Sequence, residues 1–126
     1  MDMRKLAFIF LLVLDFGACT NQDDEINIRL RNSSTVAFTD IIVNTSSGDN
    51  TVFENLESDQ VSAYQSFEIA YRYAFIELTA NEQTLTIQPI DYVGETPLKG
   101  GLYTYELDIV SLEDRYGGLV LKLIED

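Results

Sequence analysis

Phe67-Glu68-Ile69-Ala70-Tyr71-Arg72-Tyr73-Ala74-Phe75 alternates without a break. Phe67, Ile69, Tyr71, Tyr73 and Phe75 fall on one side, with Glu68, Ala70, Arg72 and Ala74 on the other. A period of two belongs to a strand, whose successive side chains point to opposite faces, whereas a helix repeats every 3.6 residues. The stretch therefore predicts one long central strand. Ile76 and Leu78 shift the apolar phase at its end, a sign that both faces are covered there.

The same period runs through the flanking sequence. Ile26, Ile28 and Leu30 alternate with Asn27, Arg29 and Arg31, and Asn32-Ser33-Ser34-Thr35 breaks the run. Val36 to Asn44 is rich in β-branched residues, and its phase slips between Phe38 and Ile41, which predicts a bulge. Ser46 to Asn50 forms a turn cluster, and Thr51 to Leu56 completes a hairpin. Asn81-Glu82 reads as a tight turn into Gln83–Gln88. Pro89 to Gly101, with both prolines, is the longest irregular loop. Leu102 to Val110 places Tyr103, Tyr105, Leu107 and Ile109 on one face. Gly117-Gly118 turns the chain into a last strand, Leu119 to Ile124.

The expected fold is all-β: a single antiparallel β-sandwich of about seven strands over residues 26–126, transthyretin-like or immunoglobulin-like in type. With no cysteine pair and no tryptophan, the core of an antibody domain is absent. Leu98-Lys99-Gly100-Gly101-Leu102-Tyr103 resembles the Leu-x-x-Gly-x-Tyr lead-in to a strand in transthyretin-like and collagen-adhesin B-type modules.

Residues 1–18 read as an export signal. Arg4 and Lys5 give a positive start, and Leu6 to Leu14 is an unbroken apolar run. At nine residues that run is too short to cross a bilayer, which takes about 20. Gly17 and Ala18 precede Cys19, the one cysteine of the chain. This segment resembles the lipobox of bacterial lipoproteins, which implies a diacylated Cys19 as the first mature residue. Residues 19–25 form a polar, acidic tether, similar to the stretch behind the cysteine in many lipoproteins of the Bacteroidota. The resemblance implies a place in the bacterial cell envelope, lipid-anchored at the outer membrane and periplasmic or surface-facing.

Charge narrows the partners. Arg4 and Lys5 cancel Asp2 and Asp15, so the net −13 belongs to the segment beginning at Cys19. Such a field repels nucleic acid and anionic headgroups. There is no histidine, which removes the commonest general base and zinc ligand. No cofactor is expected, and no enzyme. Asp91 and Glu95 are the one carboxylate pair at a spacing open to acid–base work. Asp49 with Asn50, Asp91 with Glu95, and Glu113 with Asp114 lack the spaced Asp-x-Asp-x-Asp-Gly loop of a calcium site. Asn32-Ser33-Ser34 and Asn44-Thr45-Ser46 match a glycosylation acceptor that usually has no meaning in a bacterium.

Tyrosine is the conspicuous residue. Tyr71/Tyr73 and Tyr103/Tyr105 are spaced to project from one face of their strands. On neighbouring strands the four rings would make a cross-strand ladder, either a packed core or a platform for sugars. The expected function is thus a lipid-anchored adhesion or protein-interaction module that meets an envelope protein. The alternative is a carbohydrate-binding accessory that takes a glycan on Tyr71, Tyr73, Tyr103 and Tyr105.

Overall fold

The computed structural model describes residues 25–46 and 48–126. The signal at 1–18, Cys19 and the tether up to residue 24 lie outside the described residues. Among the described residues, no helix is long and apolar enough to cross a membrane.

Among the described residues, eight strands form two four-stranded sheets. They are β1 (Ile26–Asn32), β2 (Phe38–Asn44), β3 (Thr51–Phe53), β4 (Gln65–Phe67), β5 (Phe75–Ala80), β6 (Gln83–Ile87), β7 (Gly101–Ile109) and β8 (Leu119–Glu125). One sheet has the order β4-β1-β7-β8, the other β3-β2-β5-β6. All pairings are antiparallel except β1 with β7, which run parallel from Ile26↔Gly101 to Asn32↔Leu107.

Two expectations are corrected here. The sheets are not wholly antiparallel, because β1 and β7 run side by side in one direction. The strand count is eight because the central run is not one strand. Its first residue ends β4 in one sheet, its last begins β5 in the other, and 68–74 crosses the end of the sandwich. The expected facing is also inverted within the crossover. Ala70 and Ala74 are fully buried, while Ile69 is 38% exposed. A methyl fits where the chain closes the end of a packed core, and the bulky neighbours turn outward.

Elsewhere the apolar face of the alternation is the buried one, although Thr86 and Thr104, on the opposite face, are buried as well. Ile26, Ile28 and Leu30 from β1 meet Tyr103, Tyr105 and Leu107 from β7 on the inner face of one sheet. Phe38, Ile41, Val43, Ile76, Leu78 and Leu85 come from the other. Each such side chain contributes roughly 1.5–3 kcal/mol by leaving water. The slip expected in β2 is a register shift between Thr39 and Ile42, with Asp40 at φ 52°. An extra residue there returns Ile41 and Val43 to the core face.

Polar knots close the ends of the strands. Asn32 is fully buried. Its amide donates to the carbonyls of Val36 (2.8 Å) and Leu56 (3.2 Å), and its Oδ1 accepts from Ser34 N (2.9 Å) and Ser34 Oγ (2.7 Å). The first glycosylation match is thus a buried structural amide. On the outer face of β1 and β7, Arg29 Nε donates to Thr104 Oγ1 at 3.0 Å. Thr104 Oγ1 lies 2.7 and 2.9 Å from the Asp126 carboxylate oxygens, and Tyr64 donates to the same carboxylate at 2.7 Å.

Register assigns the two ends of the sandwich. Ile26 is level with Gly101 and Phe67, and Tyr103 with Glu125; Asn44 is level with Phe75, and Ile76 with Ile87. The start of β1 therefore shares one end with the 68–74 and 88–100 loops. The 33–37 and 110–118 loops start from the other end.

Candidate functional site

At the end where β1 begins, the 88–100 loop is held down by aromatic rings. Tyr92 stacks on Tyr71 with centroids 4.5 Å apart and planes at 14°, and on Tyr73 at 5.5 Å and 20°. Both separations are those of offset stacking. The Tyr73 hydroxyl donates to the Asp91 carbonyl at 3.1 Å, and Leu98 N donates to the Ala70 carbonyl at 2.8 Å. The Tyr103 hydroxyl donates to the Lys99 carbonyl at 2.7 Å, which ties the loop to β7.

The loop has its own turn. Glu95 N donates to the Tyr92 carbonyl at 3.0 Å, and Gly94 sits at φ 82°. A positive φ at the third turn residue is the signature of a type II turn and favours glycine. Asp91 Oδ1 accepts from Val93 N at 3.1 Å, and Glu95 pairs with Arg72 at 3.3 Å. Each of the two carboxylates is therefore engaged with a different partner.

The same loop exposes two aliphatic side chains. Ile90 is 98% exposed and Val93 87%. A shallow cleft lies beside them, lined by Ile69, Tyr71, Phe75, Pro89, Ile90 and Tyr92.

The four tyrosines singled out in the sequence do not form a ladder. Tyr103 and Tyr105 are buried at 4% and 0% exposure. Tyr71 and Tyr73 lie on the crossover rather than on a strand. What joins the pairs is a hydrogen bond: the Tyr105 hydroxyl donates to the Tyr71 carbonyl at 2.6 Å. Burial, with the nearby Tyr92 phenol adding to it, pushes the Tyr105 hydroxyl well above the ordinary tyrosine range. Burial also pushes Tyr92 up, against a backbone hydrogen bond with Phe75 that lowers it. Tyr71 and Tyr73 each stack on Tyr92, which stacks on both, and this leaves less ring surface for a sugar. Tyr92, the hub of the stack, is one of the conspicuous tyrosines of the sequence, but nothing there paired it with Tyr71 and Tyr73, because a loop residue has no periodicity.

The far end carries a second feature. A cleft there is lined by Ser33, Thr35, Val36, Val110, Ser111 and Leu112, and Val110 is 69% exposed. Val110 N donates to the Gly118 carbonyl at 2.8 Å, and Gly118 N to the Asp114 carbonyl at 2.8 Å. From this end the 110–118 loop folds back along the edge of β6. Thr86 N donates to the Arg115 carbonyl at 2.7 Å, and Arg115 pairs with Glu77 at 3.2 Å. Covering an edge strand blocks pairing with other chains. Among the described residues, no group of three carboxylates or other ligating side chains gathers to hold a metal ion.

No family model matches the chain, and no curated protein does. A solved structure is similar: an NMR structure of a protein from Eubacterium rectale. It aligns with a TM-score of 0.55 at 15% identity, covering 81% of this chain and 88% of that one. At that identity the likeness speaks for the fold alone, a two-sheet all-β domain.

Proposed function

We propose that this chain is a bacterial lipoprotein, anchored in the cell envelope through acyl chains on Cys19, with a non-enzymatic β-sandwich that binds another envelope protein. The observation that carries the reading is Val110, strongly exposed beside the far-end cleft on a backbone bonded to Gly118. An exposed aliphatic group on a braced loop costs little further ordering when a partner covers it. The connectivity supports the transthyretin-like type over the immunoglobulin-like one. In the immunoglobulin arrangement the first two strands are neighbours in one sheet, with four strands packed on three. Here β1 lies between β4 and β7, and β2 belongs to the other sheet.

The test is retention of envelope proteins on the anchored chain and on Val110→Asp, with circular dichroism as the control for folding. A partner retained by the parent and lost from Val110→Asp is the expected result. Equal retention by both, or a glycan array that lights up while no protein is held, overturns the reading.

A further inference from the structure

The end of the sandwich that carries Ile90 and Val93 is also the end from which the tether leaves. Glu25 is the first described residue, and its carbonyl accepts from Gly101 N at 2.9 Å, directly behind the 88–100 loop. From the proposed anchor at Cys19 up to β1 the chain has only residues 19–25, seven residues that reach at most about 25 Å when fully extended. An anchored chain thus holds this end near the bilayer at high effective concentration, where a contact too weak to recruit a free protein suffices.

We propose that the tip of the 88–100 loop docks on the bilayer surface, with Ile90 and Val93 entering the interface. The proposal rests on the lipoprotein reading above and adds an orientation to it: the sandwich stands on its tether end and turns Val110 away from the membrane. The aliphatic pair is nearly fully exposed, so its apolar surface gains from leaving water and loses no internal packing. The loop is braced by the Tyr71–Tyr92–Tyr73 stack, so docking orders little that is not already ordered. Tyrosine is also a residue of membrane interfaces, with an apolar ring and a wet hydroxyl.

Charge selects the lipid. Glu25, Glu68, Asp91, Glu95 and Glu125 stand at this end, against Arg72 and Lys99. Asp91 is bonded to Val93 N and Glu95 to Arg72, but the balance remains acidic. The surface that fits is zwitterionic, and anionic lipid weakens the contact.

The chain has no tryptophan, so one introduced indole reports alone under selective excitation. The anchored full chain is placed in phosphatidylcholine–phosphatidylethanolamine vesicles containing brominated lipid, as Ile90→Trp and separately as Val110→Trp. A side chain held at the headgroup–acyl boundary is expected to lose about half its emission in Ile90→Trp, with little change in Val110→Trp. Adding phosphatidylglycerol is expected to reduce the loss. If the protein floats with the vesicles and Ile90→Trp is not quenched, docking is wrong and the lipoprotein reading stands. If the chain carries no acyl groups and does not float, both fall.

Discussion

The Tyr105 hydroxyl donates to the Tyr71 carbonyl at 2.6 Å, across thirty-four residues of sequence. This bond fastens the inter-sheet crossover to the central strand β7 and brings Tyr71 to its stack on Tyr92. Tyr105→Phe keeps the ring in the core but leaves the Tyr71 carbonyl without its donor, at a cost of about 1–3 kcal/mol. The folded state holds the Tyr105 proton more tightly than the unfolded chain does. Its contribution is therefore complete below the ordinary tyrosine value near 10 and is lost as pH rises beyond it. Denaturant unfolding between pH 9 and 11 should show a shallower loss of stability in Tyr105→Phe than in the parent. Equal slopes would contradict it.

Asp126 sets the opposite limb. Burial by itself would raise its carboxyl, but hydrogen bonds from Tyr64 and Thr104 and the charge of Arg29 outweigh burial and hold it below the usual aspartate value. Its stabilisation is present above about pH 4 and is lost as pH falls through the lowered value. Protonating so acidic a chain also relieves repulsion, so the difference between variants is the informative quantity. The stability gap between parent and Asp126→Asn should shrink steadily from pH 5 to pH 2.5.

Gly118 leaves no room for a methyl group. A Cβ there would lie 1.8 Å from the Ser111 carbonyl oxygen and 2.6 Å from that of Asp114, both backbone atoms. Gly118→Ala must spread the 110–118 loop and should cost about 1–3 kcal/mol by overpacking. At Gly48 the nearest contact would be Ser46 Oγ at 3.8 Å, so Gly48→Ala should change the unfolding midpoint little.

The β5–β6 hairpin carries a strain that can be relieved. Asn81 and Glu82 sit at φ 50° and 66°, the left-handed pair of a type I′ turn. Asparagine tolerates that region and glutamate does so poorly, whereas glycine adopts it freely. Glu82→Gly is expected to stabilise the fold by about 0.5–1 kcal/mol, after glycine's greater freedom in the unfolded chain is subtracted. A lower melting temperature for this variant would show that Glu82 makes a contact worth more than the strain.

Several features of this protein were legible residue by residue. The alternation placed Ile26, Ile28 and Leu30 on one face and Tyr103, Tyr105 and Leu107 on another, since a strand's faces follow from its period; that both tyrosines are core rather than an exposed platform came from the structure. The bulge at Asp40 and the turn at Asn81-Glu82 were readable for the same reason: phase and backbone preference are local properties. Tertiary structure decided the rest. Period two shows which residues share a face but not which sheet they join, so residues 67–75 read as one strand while the chain crosses between sheets there. The parallel pairing of Ile26 with Gly101 links segments with no local signal for each other. Tyr92 became the hub of the loop only because the crossover delivers Tyr71 and Tyr73 to it, and the exposure of Ile90 and Val93 in the same loop has no periodic signal either.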